Sequence, residues 1–478
     1  MIVSVQGATM GEMVGQVRSR VRVLARPIVW VPVVVFTAAL LLASCGGGDD
    51  SAAPVRTPGE PIPISIWHSM PNPPGAVLQR FVDQFNESQT EYQAELIFQG
   101  SYTDSLNKLI NSVGSGNIPN VIQLSDQATQ IMIDSEAMTP IQQFIDEEGY
   151  DLSDFDPKML SYYRVDGTLY AMGFNLAGPI LYYDRQAFEE AGLDPDRPPL
   201  TLEEVREYSE RLVQRDENGD VTRTGIALQI SPWFFEQMLA KGGALYVNNG
   251  NGRDGRATEA VFDSDAGKTI IQWWDSMVDD GLAHNSGTDS LDAMLKLASG
   301  QTTMAIASTG ALRAAIAALA LAGRDVRQYD TGPMPGATAE DGGVVLGGAA
   351  FWILSDQPED EQRGAWEFLK FVAGREQQAR WHADTGYLPT RLSAYDEPIA
   401  VETREEFPQF ETAVNQLRAS PDNRATQGAL LGPFASVRDR VKQAFERVLI
   451  GGADPIEELE AAAEDATEII REYNRTAP

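Results

Sequence analysis

The side chains of this chain that could do covalent or metal chemistry are few and scattered. There is one cysteine, Cys45, and three histidines, His68, His284 and His382. The histidines are far apart and lack ligand spacing, and a lone cysteine excludes a disulfide framework and any cysteine-based metal site. No Walker loop, Gly-x-Ser-x-Gly elbow or His-Glu-x-x-His helix occurs. Asp216-Glu217-Asn218-Gly219-Asp220 has the composition of half a calcium loop, but its glycine comes too early and the closing glutamate is missing. It reads as a plain Asn-Gly turn. Carboxylates are abundant, yet no spacing singles out an acid/base pair. The aromatics are more informative. Trp67, Tyr102, Trp233 and Tyr387 stand beside turn residues or at element ends. Flat rings suit the apolar faces of polyols and sugars, while acids and amides bond their hydroxyls. Core packing is the competing reading for each ring, and it is preferred for His382, which follows Trp381 in a helical run.

Cys45 closes Leu42-Ala43-Ser44-Cys45. Ahead of it lie Arg18, Arg20, Arg22 and Arg26, then an apolar run from Ile28 to Leu42. This is the order of a secretory leader, residues 1–44: charged region, apolar region, small residues before a cut. The small-small-Cys ending resembles the lipobox of bacterial lipoproteins. The resemblance implies lipidation of Cys45 and anchoring of an extracytoplasmic body to the cell membrane. An uncut membrane anchor is the alternative, but the run falls short of the ~20 apolar residues a bilayer core needs. Gly46-Gly47-Gly48-Asp49-Asp50 begins a flexible tether over residues 45–60.

The formal charge is −32. The leader is net basic, so the rest is more acidic still. Such a surface repels nucleic acid and anionic lipid, and no basic stripe offsets it. Solubility is the reading of this charge that needs nothing further.

Beyond the tether, strand and helix signals alternate. Ile62, Ile64 and Ile66 recur at period two and run into Trp67-His68-Ser69-Met70. Val77, Leu78, Phe81, Val82 and Phe85 mark a helix face. Tyr92–Phe98 reads as a strand. Leu106, Leu109, Ile110 and Val113 read as a helix ended by Gly114 and Gly116, and residues 121–124 as a buried strand. The series predicts a parallel sheet wrapped by helices. Asp166-Gly167 predicts a tight turn. Thr201 and Glu204 form a capping box. Helical patterns recur over residues 266–278, 291–298, 311–322, 366–372, 437–449 and 456–473. The alanine-rich 311–322 stretch is expected to be an ordinary buried helix.

Several short motifs occur together: Trp67-His68-Ser69-Met70, Gly100-Ser101-Tyr102, Phe174-Asn175, Leu181-Tyr182-Tyr183, Ala307-Ser308-Thr309-Gly310, Gly347-Gly348-Ala349 and Thr385-Gly386-Tyr387-Leu388-Pro389. Their identity and order resemble the bacterial extracellular solute-binding proteins that feed ATP-driven sugar importers. The nearest pattern is that of the family's glycerol-3-phosphate-binding members. The resemblance implies an α/β, two-lobed periplasmic-binding-protein-like fold of type II, with a hinge between lobes. Lobe 1 is expected over residues 60–173 plus 302–343 and lobe 2 over 178–300 plus 347–478. Crossings are expected near residues 174–178, 300–303 and 343–347.

Carried over residue by residue, the resemblance implies ligand-binding roles for Tyr102, Asp126, Trp233, Ser308 or Thr309, Gly347 or Gly348, and Tyr387. Two positions depart from the family. Ala177 falls where a phosphate-contacting serine is expected, and Leu430 where an arginine is expected, with Arg424 or Arg438 as substitutes. The expected ligand is therefore a sugar, a polyol or a glycerol-phosphate-derived solute, with glycerol-3-phosphate itself a poor one. No enzymatic activity, metal or cofactor is implied. The expected partners are the solute, ABC permease subunits and the membrane through lipid on Cys45, and the expected state is monomeric. A surface-anchored carbohydrate hydrolase and a protein-binding sensor adaptor are the alternatives.

Overall fold

The computed structural model describes residues 59–112, 117–337 and 342–477. The leader, Cys45, nearly all of the tether, and Gly114 and Gly116 lie outside the described residues. Residues from Pro58 onward form one compact unit, built on two six-stranded sheets.

The first sheet begins as the period-two and apolar-run signals require. Ile62–His68 pairs in parallel with Tyr92–Phe98 on one side and with Val121–Ser125 on the other. The helices Pro74–Ser88 and Tyr102–Ser112 form the crossovers between them. The strand Gly347–Leu354 joins antiparallel to Val121–Ser125, and Met172–Ala177 and Met138–Thr139 add beyond it. In the second sheet, Val221–Leu228 pairs in parallel with Ala283–Asn285 and Thr302–Ser308. Pro179–Asp184 lies antiparallel between Thr302–Ser308 and Tyr329–Pro333.

This pairing corrects the expected division of the chain. Residues 302–308 and 329–333 belong to the second sheet, where both edges of Thr302–Ser308 are hydrogen-bonded. Gly347–Leu354 belongs to the first. The expected assignment of residues 302–343 and of the start of 347–478 is thus exchanged. Gly300 is not a crossing. It takes the left-handed conformation, φ 74°, that ends the Ser290–Ser299 helix and returns the chain into the same sheet. The helix Glu359–Val372 packs on the first sheet, whereas Phe434–Leu449 and Pro455–Thr476 pack against the Asp265–Asp279 helix beside the second.

Local signals hold where the chemistry is local. The Thr201 hydroxyl accepts from the Glu204 N–H at 3.0 Å, and the Glu204 carboxylate accepts from the Leu200 N–H at 2.7 Å. Asp166 and Gly167 have φ of 48° and 82° and turn one short strand onto the next. The alanine-rich helix Leu312–Leu321 differs from expectation. Only Leu312, Ala315 and Leu319 are buried, and Leu321 is 90% exposed. Its small side chains leave it on the surface, because they offer one narrow stripe for packing. No described helix is long and apolar enough to cross a membrane.

Candidate functional site

The chain passes from the first sheet to the second within one residue. Met172–Ala177 ends at Ala177 and Pro179–Asp184 begins at Pro179, so Gly178 is the link. Thr309 braces it. The Thr309 N–H donates to the Gly178 carbonyl at 3.0 Å, and the Gly178 N–H donates to the Thr309 hydroxyl at 3.2 Å. The Ser308 hydroxyl accepts from the Gly310 N–H at 3.2 Å, capping the turn that follows. A second passage runs from Pro333 to Gly347, which pairs with Ala177.

Aromatic rings gather at these passages. Residue 347 carries no side chain because there is no room for one: a Cβ there would stand 2.7 Å from the Trp233 indole. Gly348 has φ 108°, and a Cβ would meet the Asn175 carbonyl at 2.2 Å. Both the backbone conformation and the space therefore require glycine there. A Cβ on Gly310 would stand 2.7 Å from the Tyr387 ring. Tyr387 stacks on the buried Trp381 with ring centroids 5.5 Å apart and planes 8° apart, and His382 Nδ1 donates to the Tyr387 carbonyl at 2.7 Å. The Tyr102 hydroxyl accepts from Asn175 Nδ2 at 2.9 Å. Tyr102, Trp233 and Tyr387 are each half-buried, in contrast to the fully buried Trp274, Trp352, Trp366 and Trp381. Trp67 packs against the core from the Ile62–His68 strand.

Beside the rings lies a charged cluster. The Arg438 guanidinium donates to the Asp126 and Glu236 carboxylates, each at 2.7 Å, and lies 4.3 Å over the Phe434 ring. Asp126 follows the Val121–Ser125 strand, where Ser125 pairs with Ala349. Glu236 lies on the Pro232–Lys241 helix, one turn after Trp233. All three charged side chains are buried, with 8–13% of each exposed. Burial raises the Glu236 carboxyl above its ordinary value, although Arg438 opposes it. Burial acts against the Arg438 charge too, but Asp126 and Glu236 outweigh it and hold the guanidinium protonated. With both acids ionised, the cluster carries one more negative charge than positive. The same burial raises the Tyr102 hydroxyl, with Tyr387 and Asp126 adding to the effect, so it stays a neutral phenol.

The fold thus brings Tyr102, Asp126, Trp233, Ser308, Thr309, Gly347, Gly348 and Tyr387 around the two passages. The Thr309 hydroxyl is engaged with the backbone there. Ala177 is buried at the end of its strand. Leu430 is buried, with its N–H on the Asn251 carbonyl at 2.8 Å. Arg424 pairs with the exposed Asp254. Of the two substitute arginines, Arg438 is the one delivered to the cluster. Glu236 was not singled out from sequence, and Asn175 entered only within the Phe174-Asn175 motif, with no binding role of its own. For Glu236, the signal was its spacing of three from Trp233 within one helix, which puts both on one face. Among the described residues, no group of three or more His, Cys, Asp or Glu side chains could hold a metal ion.

Comparison with known proteins supplies the context. The family described as bacterial extracellular solute-binding protein matches residues 80–409. The sn-glycerol-3-phosphate-binding periplasmic protein UgpB of Escherichia coli (strain K12) is 30% identical over 428 residues, covering 86% of this chain and 93% of that one. The corresponding protein of Salmonella typhimurium is 28% identical over 429 residues, covering 87% and 94%. In structure, UgpB from Mycobacterium tuberculosis in complex with glycerophosphocholine superposes with a TM-score of 0.73 at 23% identity, covering 86% of this chain and 99% of that one. The GacH receptor of Streptomyces glaucescens, solved unliganded and with acarbose, gives 0.69 at 18% identity over 86% and 99%.

Proposed function

The chain belongs to the bacterial extracellular solute-binding proteins, and from that premise we propose that it captures a polyhydroxylated solute between its two lobes and passes it to an ATP-driven permease. The solute class is a sugar, a polyol or a glycerophosphodiester. The observation that carries this reading is the convergence of three half-buried rings with a buried Asp126–Arg438–Glu236 cluster at the passages between sheets. Rings take the apolar faces of such a solute, and carboxylates and guanidinium bond its hydroxyls.

The excess negative charge of the cluster favours neutral solutes and monoanionic diesters over a phosphate monoester dianion. Ala177 acts in the same direction, since it has no hydroxyl for a phosphate oxygen. Charge-assisted bonds are worth about 1.5–3 kcal/mol each, so one missing partner and one unbalanced acid are enough to set the preference. Lipid on Cys45 would tether the protein outside the cytoplasmic membrane, and the two lobes would close on solute as a monomer.

The test is a thermal-shift and calorimetric screen of the purified protein against sugars, polyols, glycerophosphodiesters and glycerol-3-phosphate. Saturating solute raises Tm because it binds only the folded state. The reading expects a hit among the first three classes and a weak response to glycerol-3-phosphate. Turnover of a glycoside, or no response to any class, would overturn it.

A further inference from the structure

Resting on the reading of this cleft as a solute site, we infer that Asn175 is a positioning residue that turns the Tyr102 hydroxyl into a donor aimed at an acceptor oxygen of the solute. The Ser69 backbone N–H donates to Gln123 Oε1 at 3.0 Å. A backbone N–H has no other role, so this contact fixes which end of the Gln123 amide is oxygen. Gln123 Nε2 then donates to Asn175 Oδ1 at 2.7 Å, which fixes Asn175 in turn. Asn175 Nδ2 is left facing Tyr102 and donates to its hydroxyl oxygen at 2.9 Å.

Ser69, Gln123 and Asn175 are buried at 6%, 0% and 1% exposure, so water does not scramble the chain of donors. A hydroxyl whose oxygen already accepts from Asn175 presents its proton to the other side. For Tyr102 that proton points to the Met70 thioether, whose sulfur lies 3.5 Å from the hydroxyl oxygen. Sulfur is a weak acceptor that a solute oxygen displaces.

The backbone is shaped for this purpose. Opposite Gly347–Leu354 the register slips between Ala349, which pairs with Asn175, and Ala350, which pairs with Gly173. Phe174 is the extra residue of the resulting bulge, and its ring packs against Trp381 and Phe351. A bulge reverses the alternation of side chains and re-aims the residue beside it.

The test is Asn175→Asp, a change of one atom that reverses the polarity. Ionised, the aspartate accepts from Gln123 and from Tyr102, drawing the tyrosine proton inward. Protonated, it offers an O–H to the tyrosine and restores the native pattern. Calorimetry with glycerophosphocholine, maltose and glycerol is expected to show at least about a tenfold loss of affinity near pH 8 for whichever probe the wild type binds, with recovery toward pH 5. Asp126, Glu236 and Arg438 face the same site and are present in both proteins, so the wild-type profile subtracts them. Unchanged affinity, or a loss independent of pH, would overturn the inference and leave the cleft reading standing.

The tyrosine Raman doublet supplies a readout without solute. The difference between each protein and its Tyr102→Phe derivative is expected to move from an accepting toward a donating hydroxyl on Asn175→Asp. An unmoved doublet also overturns the inference. If the wild type binds none of the probes, the cleft reading falls and the doublet alone decides the role of Asn175.

Discussion

The Arg438 guanidinium stands 2.7 Å from the Asp126 carboxylate, and this ion pair ties a helix packed beside the second sheet to the turn that ends a central strand of the first. Glu236 shares the same guanidinium nitrogen, also at 2.7 Å. One cation therefore serves two buried anions across the approach surface of the lobes. Its removal should act on lobe closure before it acts on folding. In Arg438→Ala, Asp126 and Glu236 are left facing each other with no counter-charge, a state that costs about 3–5 kcal/mol when it stays buried. Parting of the lobes hydrates both acids and avoids most of that cost. Small-angle scattering is expected to show a larger radius of gyration, calorimetry the loss of solute binding, and melting only a modest drop in Tm. An unchanged radius with full affinity would refute the bridging role.

The three half-buried rings are expected to carry affinity more than stability. Tyr102→Ala, Trp233→Ala and Tyr387→Ala should each weaken solute binding by about tenfold or more, the equivalent of about 1.4 kcal/mol. Trp233→Ala should also lower Tm somewhat, because the ring packs on the core as well as against Gly347. Equal affinity in all three variants would remove the site assignment.

Gly347 and Gly348 are adjacent but fail differently when given a side chain. Gly347→Ala pushes a methyl against the Trp233 ring at 2.7 Å, so the clash is with a side chain and not with backbone. Its expected effect is on affinity. Gly348→Ala meets a carbonyl oxygen at 2.2 Å with φ 108°, where the backbone itself must shift. Strain of this kind costs about 1–3 kcal/mol, so denaturant titration should show the loss in this variant and little in the other.

His382 should make the protein acid-labile. Burial lowers its pKa from 6.5 to about 4, while the Tyr387 carbonyl bond opposes this and Arg404 and Arg313 add to it. Its Nε2 has no hydrogen-bond partner. The folded state therefore binds this proton less readily than the unfolded chain. Stability is fully present above pH 6.5 and is lost as pH falls toward 4, by about 3 kcal/mol over the window. His382→Gln should flatten that part of the pH–stability curve measured by urea unfolding.

Glu236 has the opposite sign. Its raised pKa means the folded state holds this proton more tightly than the unfolded chain, so the group weighs against folding as pH rises from its ordinary value of 4.5. Glu236→Gln is expected to gain stability over wild type as pH increases through that range and to match it below. The same denaturant series checks this, and a gain that shrinks with rising pH would contradict it.

How much of this was legible in the sequence follows the range of the forces involved. Periodicity placed the strand Tyr92–Phe98 at its observed bounds, and Thr201 with Glu204 announced a helix start, because each is decided within a few residues. Motif order carried the family and the rings. The division of the chain between lobes was misread, since a strand such as Gly347–Leu354 is apolar along nearly its whole length and fits either sheet equally well by pattern. Glu236 escaped notice, and Asn175 was read only as part of a motif, because an acid on a helix and an amide on a strand are ordinary until something faces them.

The sequence by itself determined the elements, the acidic surface and the aromatic residues available for a solute, because propensity, charge and side-chain type are properties of each residue and its near neighbours. Only the tertiary structure decided which sheet each late strand joined, which arginine reached Asp126, and which way the amide of Asn175 faced. Those outcomes depend on pairings between residues as far apart as Asp126 and Arg438, where hydrogen-bond register and burial make the selection and local pattern has no influence.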